Sequence, residues 1–215
     1  MIWRIKLKLI ILMIAAYLLG SIPNGVWIGK AFFNIDIRQH GSENIGTTNT
    51  YRVLGTTAGT IVMILDISKG TVAALLPIIF HVSLFSDNLS KLIFGILAVI
   101  GHTFSIFDRF RGGKAVATSA GMLLAYNPYL FLLAVVSIVI MISIFSMVSL
   151  GSMFTFTLIT VVSFLTGDRV LTPLALLLTI FVFYRHRQNI VRIKNGTEGL
   201  VPFGLNYWHK HQHQL

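Results

Sequence analysis

The sequence predicts an all-α integral membrane protein, because its apolar stretches are too long and too continuous for a soluble fold. Hydrophobic residues make up 55% of the chain, charged residues only 11%, and the mean hydropathy is +0.80. Several windows of ~20 apolar residues are long enough to cross a bilayer as helices, which satisfy their own backbone polar groups in hydrocarbon. The apolar runs do not alternate with polar residues, which disfavours a transmembrane β-barrel.

Seven apolar segments are the predicted spans of a single polytopic domain that covers residues 1–215. They lie at about 8–28, 57–81, 90–107, 116–127, 128–147, 150–166 and 170–185. The fourth is short, and Asn127-Pro128 predicts a tight turn into the fifth. Five spans with two re-entrant segments is therefore the alternative. The first segment lacks an A-x-A-like cleavage site, so we expect it to remain as a span.

Positive charge predicts the orientation of these spans. With the amino terminus outside, the inner segments contain twelve Lys and Arg residues and the outer segments five. The positive-inside rule then favours a cytoplasmic carboxyl terminus, although Arg4, Lys6 and Lys8 count against it. The net charge of +10 comes from cations between apolar spans, which indicates membrane topology or anionic ligands and no nucleic-acid groove. The polar, glycine-rich segments fall on the predicted inner side, where we expect the chemistry.

The absence of cysteine excludes disulfides and thiolate chemistry. Three histidines in the tail, His209, His211 and His213, could hold a metal ion. Neither a carboxylate nor a cysteine accompanies them, so we expect a solvated tail. The sequence predicts neither a metal nor a cofactor.

The segment HGSENIGTTNTYRVLG, residues 40–55, is rich in small residues, hydroxyls and carboxamides. Small residues let the backbone turn and aim amides inward, and side chains such as Ser42, Asn44 and Asn49 can donate to an oxyanion. Arg52 can bind a phosphate through two donors at once. An ordinary inter-helix loop with Asx turns explains these residue types equally well.

The segment FRGGKAVAT, residues 110–118, has the features of an anion-binding loop. Gly112-Gly113 exposes backbone amides at the start of the next predicted helix, where the dipole favours negative charge. Lys114 adds a formal charge and Thr118 a hydroxyl one turn on. A Walker A loop is excluded, because Asp108 and Ala115 stand where that motif needs Gly and Ser or Thr. A topology anchor would need the cations but no glycine pair.

Two carboxylate-containing segments precede this loop in the sequence. In DISKG, residues 66–70, Asp66 and Lys69 are spaced to meet on one helix face. Ionisable residues inside a span are costly and usually functional, yet a structural ion pair at a helix end is the slightly favoured interpretation. His102 and Asp108 are one residue too far apart to form an H-x-x-x-x-D motif.

The segment YRHRQNIVRIKNGTEG, residues 184–199, follows the last predicted span. His186 and Asn189 are spaced i, i+3 and share a face if the helix continues. His186 could move a proton near neutral pH. The alternative is a basic juxtamembrane anchor, which requires neither Asn189 nor Glu198. Ser152, in SLGS at residues 149–152, could bind substrate or simply allow close helix packing.

Together these segments resemble the bacterial acyl-phosphate:glycerol-3-phosphate acyltransferase family over nearly the whole chain. The resemblance is carried, in the family's order and spacing, by GSIPNG, GSENIGTTNTYRVLG, DISKG, GHTFSIFDRFRGGKAVATSAG, SLGS and HRQNIVRIKNGTEG. It implies a multi-pass enzyme of the bacterial cytoplasmic membrane whose site faces the cytoplasm. Ser105, Ala115 and Thr47 stand where the family usually has Pro, Gly and Ala.

The resemblance also implies the reaction and its residues. A fatty acyl group passes from acyl phosphate, supplied by a separate enzyme, to the 1-hydroxyl of glycerol 3-phosphate, giving lysophosphatidic acid and phosphate. The implied catalytic residues are Ser42, Lys114, His186 and Asn189. The expected substrate- and phosphate-binding residues are Arg52, Asn44, Asn49, Gly112, Gly113, Lys114 and Ser152.

The residue chemistry agrees with this reaction, because both substrates carry phosphate and an activated acyl phosphate needs no acyl-enzyme nucleophile. Accordingly, the chain has no cysteine and no G-x-S-x-G motif. A small transporter for an organic phosphate or other anion is the competing class, although paired repeats typical of transporters are absent. A scaffold for acidic membrane lipids would explain the cations but not the Gly-Gly-Lys loop.

Overall fold

The computed structural model describes residues 2–82, 84–202 and 204–212, and these residues form helices and turns without any strand. The helices are α1 (Ile2–Ser21), α2 (Asn24–Phe33), α3 (Thr47–Ile79), α4 (Asp87–Thr103), α5 (Val116–Tyr126), α6 (Pro128–Phe145), α7 (Val148–Leu165), α8 (Leu171–Arg185), α9 (Arg187–Lys194) and α10 (Leu205–Gln212). Short 3-10 turns cover Ile37–Gln39 and Ile106–Asp108. The all-α prediction is confirmed.

Four of the described helices, α3, α4, α6 and α7, are long and apolar enough to cross a membrane, and a fifth span results if α1 and α2 count together. Helices α5 and α8 are apolar but shorter. These helix lengths agree better with the alternative of five spans and two re-entrant segments than with seven full spans. The number of spans and the orientation of the termini stay predictions.

The first predicted span, 8–28, is wrong as a continuous helix. Helix α1 ends at Ser21, α2 begins at Asn24, and the two are bent by 49°. The break follows from Pro23, which has no amide hydrogen to donate and disfavours the helical conformation at Ile22. The bend therefore lies inside the GSIPNG segment.

The second predicted span, 57–81, corresponds to the part of α3 that follows a break at Gly55, and an additional helical part precedes that break. Helix α3 starts at Thr47, directly after Gly46 at its amino-terminal cap, and continues across a local break at Gly55, where φ is +85°. Asn49 and Arg52 therefore lie on the first turns of a helix, and only residues 34–46 form the connecting segment. A left-handed φ is tolerated at Gly55 because glycine has no Cβ.

The chain forms two compact units, Met1–Pro128 and Tyr129–Leu215. In the first, α3 and α5 pack so closely that a Cβ on Gly70 would overlap the Thr118 carbonyl oxygen, and one on Gly121 would overlap that of Ile67. Such approach is typical of membrane helices, which associate through small residues because lipid is as apolar as their side chains.

The second unit contains α6 to α10, and hydroxyl pairs connect its longer helices. Ser137 on α6 and Thr155 on α7 are hydrogen-bonded at 3.2 Å, and Thr160 on α7 and Thr179 on α8 at 2.8 Å. Such pairs stabilise packing in lipid by about 0.6 kcal/mol each. They set the positions of α7 and α8, which lead into the polar segments of this unit.

The close contact of α3 and α5 makes Gly121 intolerant of a side chain. Gly121→Ala should lower the free energy of unfolding by roughly 1–3 kcal/mol, the usual cost of overpacking, because the added carbon would meet the backbone of Ile67 and Thr71. The measurement is the thermal unfolding midpoint of the detergent-solubilised protein.

The matched control is Gly151→Ala in α7, where the new carbon would lie 3.3 Å and 3.4 Å from the movable side chains of Ile138 and Ile142. This variant should change the midpoint much less, since alanine also favours the helix. Equal losses in the two variants would contradict backbone contact as the cause.

Candidate functional site

Asn49 holds the segment that precedes α3. Its buried carboxamide donates to the carbonyls of Ile37 at 2.9 Å and His40 at 3.1 Å, and its oxygen accepts from the Ser42 amide at 2.8 Å. Because these bonds engage the side chain within its own segment, we assign Asn49 to shaping the loop and leave it out of the phosphate-binding set. Its effect is to fix the backbone of Ser42.

The other polar residues of this segment divide into turn formers and exposed donors. The Asn44 side chain accepts a hydrogen bond from the Gly46 amide at 3.0 Å. This is the Asx turn expected of an ordinary inter-helix loop. Ser42 and Arg52 are exposed, and neither side chain is hydrogen-bonded to another described residue. Both interpretations therefore apply: the turn gives the segment its shape, and Ser42 and Arg52 can meet a ligand.

Arg38 joins this segment to the one before the Gly-Gly-Lys loop. Its guanidinium donates to Asp36 at 2.8 Å and 2.5 Å and also to Asp108, while Lys30 lies 3.2 Å from Asp36. The hydrogen bonds from Arg38 lower the pKa of Asp36 far below its usual range, and Asp36 in turn raises the pKa of Arg38. Both groups therefore stay charged at neutral pH, and Asp108 pairs with an arginine and not with a catalytic histidine.

The loop after α4 contains three non-glycine residues with left-handed backbone. Arg109, Phe110 and Ala115 have φ of +52°, +59° and +62°, a conformation that costs each of them roughly 1–2 kcal/mol. Hydrogen bonds hold the loop in this shape: Ser105 donates to the Ser21 carbonyl at 2.5 Å and accepts from the Phe110 amide at 2.8 Å. Such strain is common where a functional site dictates the backbone.

The backbone of Gly112 and Gly113 packs directly against the last residues of α4. The Gly113 amide donates to the His102 carbonyl at 3.1 Å, and a Cβ on Gly112 would overlap the carbonyl oxygens of His102 and Thr103. Lys114, half-buried, precedes α5. Inside α5, the Thr118 hydroxyl is buried and has no hydrogen-bond partner among the described residues.

A cavity of about 540 Å³ opens between these two segments of the first unit. It is lined by Asp36, Arg38, Gln39, Ser42, Glu43, Asn44, Ile45, Phe107, Asp108, Arg109, Arg111 and Gly112. Three expected site residues, Ser42, Asn44 and Gly112, thus share one cavity. Arg52, Gly113 and Lys114 do not line it.

The sequence alone does not identify the arginines of the cavity wall as site residues. They count there among the positive charges that favour the cytoplasmic side of the membrane. Arg38 and Lys30 together neutralise the two aspartates, since Arg38 pairs with Asp36 and Asp108 and Lys30 also pairs with Asp36. The remaining charges are Arg109 and Arg111 against the exposed Glu43. The excess of cation favours an anionic ligand. Their position directly before the glycine pair is the sequence signal that could have identified them.

Asp66 and Lys69 form the predicted ion pair, but in the interior of α3 and not at a helix end. The carboxylate, 2% exposed, lies 2.8 Å from the ammonium, which is on a residue 7% exposed. Asn24 donates to Asp66 at 2.9 Å, and Lys69 donates to the Ile22 carbonyl at 2.8 Å. Buried charges need such partners, because desolvation costs several kcal/mol per ion.

His186 and Asn189 lie at the junction of α8 and α9 in the second unit, and both are buried. The Ile190 amide donates to the His186 carbonyl at 2.9 Å, so the helical register continues across the junction. The His186 Nδ1 lies 2.8 Å from the Val182 carbonyl, which can only accept. Nδ1 therefore carries a hydrogen.

Glu198 is the hub of the second unit's polar residues. Its carboxylate accepts from Ser149 at 2.6 Å, Asn189 at 2.7 Å and Arg192 at 2.9 Å. Burial acts to raise the pKa of Glu198, but these hydrogen bonds outweigh it and lower the pKa below its ordinary value. Ser152, also buried, donates to the Val148 carbonyl of its own helix at 2.8 Å.

Among the described residues, no cluster of three or more His, Asp or Glu side chains could hold a metal ion. His209 is exposed, and His213 lies outside the described residues. The expectation of a solvated tail therefore stays a prediction.

The depressed pKa of Glu198 predicts a pH dependence of stability. The ionised carboxylate stabilises the folded state above the ordinary glutamate pKa of about 4.3, and this contribution is lost as the pH falls through the lowered value. Glu198→Gln should reduce stability at pH 7 by roughly 1–3 kcal/mol and make the remaining stability less sensitive to acid. Unfolding midpoints between pH 7 and pH 3 test this.

Glu43→Gln, at an exposed carboxylate, is the control and should retain the acid sensitivity of the unmodified protein. An acid-induced loss in Glu198→Gln as large as that in the unmodified chain would contradict the assignment.

Similarity to known proteins extends over most of the chain. The family model described as glycerol-3-phosphate acyltransferase matches residues 10–196. A glycerol-3-phosphate acyltransferase of Levilactobacillus brevis is 65% identical over 206 residues, which cover 96% of this chain and 99% of that protein. One from Lactiplantibacillus plantarum is 57% identical and covers 96% of this chain and 98% of that protein.

Two solved structures are similar in fold. Both are of PlsY (YgiH), an integral membrane glycerol 3-phosphate acyltransferase, and each covers 89% of this chain and 94% of the other. The glycerol 3-phosphate form matches with a TM-score of 0.82 at 32% identity, and the lysophosphatidic acid form with 0.79 at 31%. The chain therefore belongs to the glycerol-3-phosphate acyltransferase family.

Proposed function

We propose that this protein transfers a fatty acyl group from acyl phosphate to the 1-hydroxyl of sn-glycerol 3-phosphate. The products are 1-acyl-sn-glycerol 3-phosphate, or lysophosphatidic acid, and inorganic phosphate. Family membership supports the acceptor and the acyl transfer. The choice of acyl phosphate as donor depends on the residues of the site.

The observation that carries the proposal is the cavity between residues 34–46 and the loop before α5. Its wall combines Ser42 with Gly112 and with two arginines, Arg109 and Arg111, that have no ion pair among the described residues. Guanidinium groups and backbone amides are the usual ligands of phosphate. The volume of about 540 Å³ is large enough for more than one phosphate-bearing group.

In this proposal, Arg52 and the Gly112–Lys114 loop bind the substrate phosphates. Arg52 is exposed on the first turns of α3 and is not engaged by another described side chain. Lys114 and the amides at the start of α5 favour negative charge. Binding both phosphates would hold the reacting groups in place, and it would stabilise the phosphate as it departs.

The acyl transfer itself is a direct displacement. The 1-hydroxyl oxygen forms a bond to the acyl carbonyl carbon, and the bond between that carbon and the phosphate oxygen breaks. The electron pair leaves with phosphate, and the hydroxyl proton passes to His186 Nε2 or to a substrate phosphate oxygen. Because the donor is already activated, the reaction needs no covalent acyl-enzyme, which fits a chain without cysteine.

The resemblance to the family implies roles for His186, Asn189 and Ser152 in the reaction. The Nδ1 bond to Val182 fixes the His186 tautomer, and Glu198 fixes the Asn189 carboxamide. Rotamers locked in this way are what a catalytic group needs to act at a defined position. Ser42 is an exposed hydroxyl donor in the segment of residues 34–46.

We further propose that the protein lies in the bacterial cytoplasmic membrane with the site toward the cytoplasm. Its substrates are polar or amphiphilic phosphates, and a separate enzyme would supply the acyl phosphate. Membrane lipids surround the apolar helices and receive the product.

The test uses the full-length protein in lipid bilayers with labelled glycerol 3-phosphate. Palmitoyl phosphate, palmitoyl-CoA and palmitoyl carrier protein are offered separately, and lysophosphatidic acid and phosphate are measured. We expect product from palmitoyl phosphate alone, with one phosphate released per acyl group transferred. Product from a thioester alone would overturn the donor assignment, and no product in folded protein would favour an anion transporter.

Two arginine variants sharpen this assay. Arg52→Gln should raise the KM for glycerol 3-phosphate on the order of tenfold, since a charged hydrogen bond contributes about 1.5–3 kcal/mol. Arg169→Gln removes an equally exposed guanidinium from the turn between α7 and α8 and should leave the KM unchanged. An unchanged KM in Arg52→Gln would remove Arg52 from the site.

A further inference from the structure

The side chain of His102, at the end of α4, fills the space directly behind the Gly-Gly-Lys loop. The residue is only 5% exposed. A Cβ on Gly113 would lie 3.0 Å from the ring's Cε1 and 3.1 Å from its Cδ2, and closer still to Nε2. Real Cβ atoms are almost never found that close to other atoms, so the ring and a side chain at position 113 exclude each other.

The backbone of the same residue also contacts the loop. The His102 carbonyl accepts from the Gly113 amide at 3.1 Å, and a Cβ on Gly112 would overlap that carbonyl. His102 therefore contacts both glycines, with its ring against Gly113 and its carbonyl against both residues. A loop that binds an anion through its backbone depends on such support, because a misplacement of about 1 Å costs on the order of a hundredfold in rate.

The ring of His102 lies beside a buried ion pair of α3. Its Nδ1 is 3.9 Å from the Asp66 carboxylate, which is beyond hydrogen-bonding distance. That carboxylate is held by Lys69 at 2.8 Å and by Asn24 at 2.9 Å. A buried polar cluster thus runs from the α1–α2 break, through the interior of α3, to the back of the loop. An ionisable cluster at membrane depth is costly and usually functional, and neither phosphate binding nor proton transfer, as proposed above, uses it.

We propose that His102 is a positioning residue for anion recognition. The ring and carbonyl of His102 set the path of Gly112 and Gly113 and so the position of Lys114. This inference rests on the proposed function for its effect on KM. Its structural part, the contact that orders the loop, is independent of the substrate.

A double-mutant cycle tests the contact in the full-length protein in lipid bilayers. Gly113→Ala should raise the KM for glycerol 3-phosphate on the order of tenfold, because the new methyl group displaces the loop. His102→Ala should raise it about fivefold by removing the support. In the double variant the missing ring leaves room for the methyl group, so the KM should not exceed that of Gly113→Ala alone.

Independent effects would instead multiply to about fiftyfold in the double variant, and that result would overturn the proposal. A fall in kcat with unchanged KM in His102→Ala would do the same. Gly95→Ala is the matched control on α4, since its Cβ would meet the Met122 side chain away from the loop. It should leave the KM unchanged even if it lowers stability.

A second measurement needs no catalysis, and it uses the absence of cysteine from the chain. Arg111→Cys, at the exposed residue before the glycine pair, gives a single site for a nitroxide spin label. His102→Ala should increase label mobility, and His102→Gln serves if the alanine variant does not fold. Unchanged mobility would overturn the proposal. Increased label mobility, together with no transferase activity in the unmodified protein, would refute the proposed function and leave the loop contact standing.

Discussion

The close contact of helix backbones at glycine residues is the constraint on which the first unit depends. Gly70 and Gly121 allow α3 and α5 to pack closely. Gly112 and Gly113 allow the loop between α4 and α5 to pack against the end of α4. In lipid no hydrophobic driving force brings helices together. Their association depends on close van der Waals packing, which small residues such as glycine permit. The glycine contacts also fix the start of α5, near Lys114 and the backbone amides, against the end of α4. Helix α4 cannot shift there without losing these contacts.

A second consequence of the membrane setting is that several buried polar groups are engaged with each other. Asn49 shapes its loop, Asp66 and Lys69 neutralise each other, and Glu198 accepts from three donors. Ser42 and Arg52 are exposed and can meet a ligand directly. His186 and Asn189 are buried and still have a proposed catalytic role, so burial alone does not separate structural from functional polar residues.

The sequence was sufficient for the all-α class, the family and the approximate position of most helices, because apolar length and motif order are local properties of the chain. It located the Asp66–Lys69 pair by spacing but favoured a helix end marked by Gly70, whereas α3 continues past Gly70 to Ile79. The sequence did not predict the break between α1 and α2 at Pro23, because the stretches on both sides of it are apolar. Arg38 and His102 could not be assigned, since their partners Asp108 and Gly113 meet them only through tertiary packing.

The account's central claim is that the site holds phosphate while the acyl group moves directly to its acceptor. Isotope exchange tests it most directly: the protein in lipid bilayers is incubated with palmitoyl phosphate and radiolabelled inorganic phosphate, without glycerol 3-phosphate. Direct transfer predicts that no label enters palmitoyl phosphate above the uncatalysed rate, because no acyl-enzyme forms. Enzyme-dependent labelling of palmitoyl phosphate would show an acyl-enzyme intermediate and contradict the account.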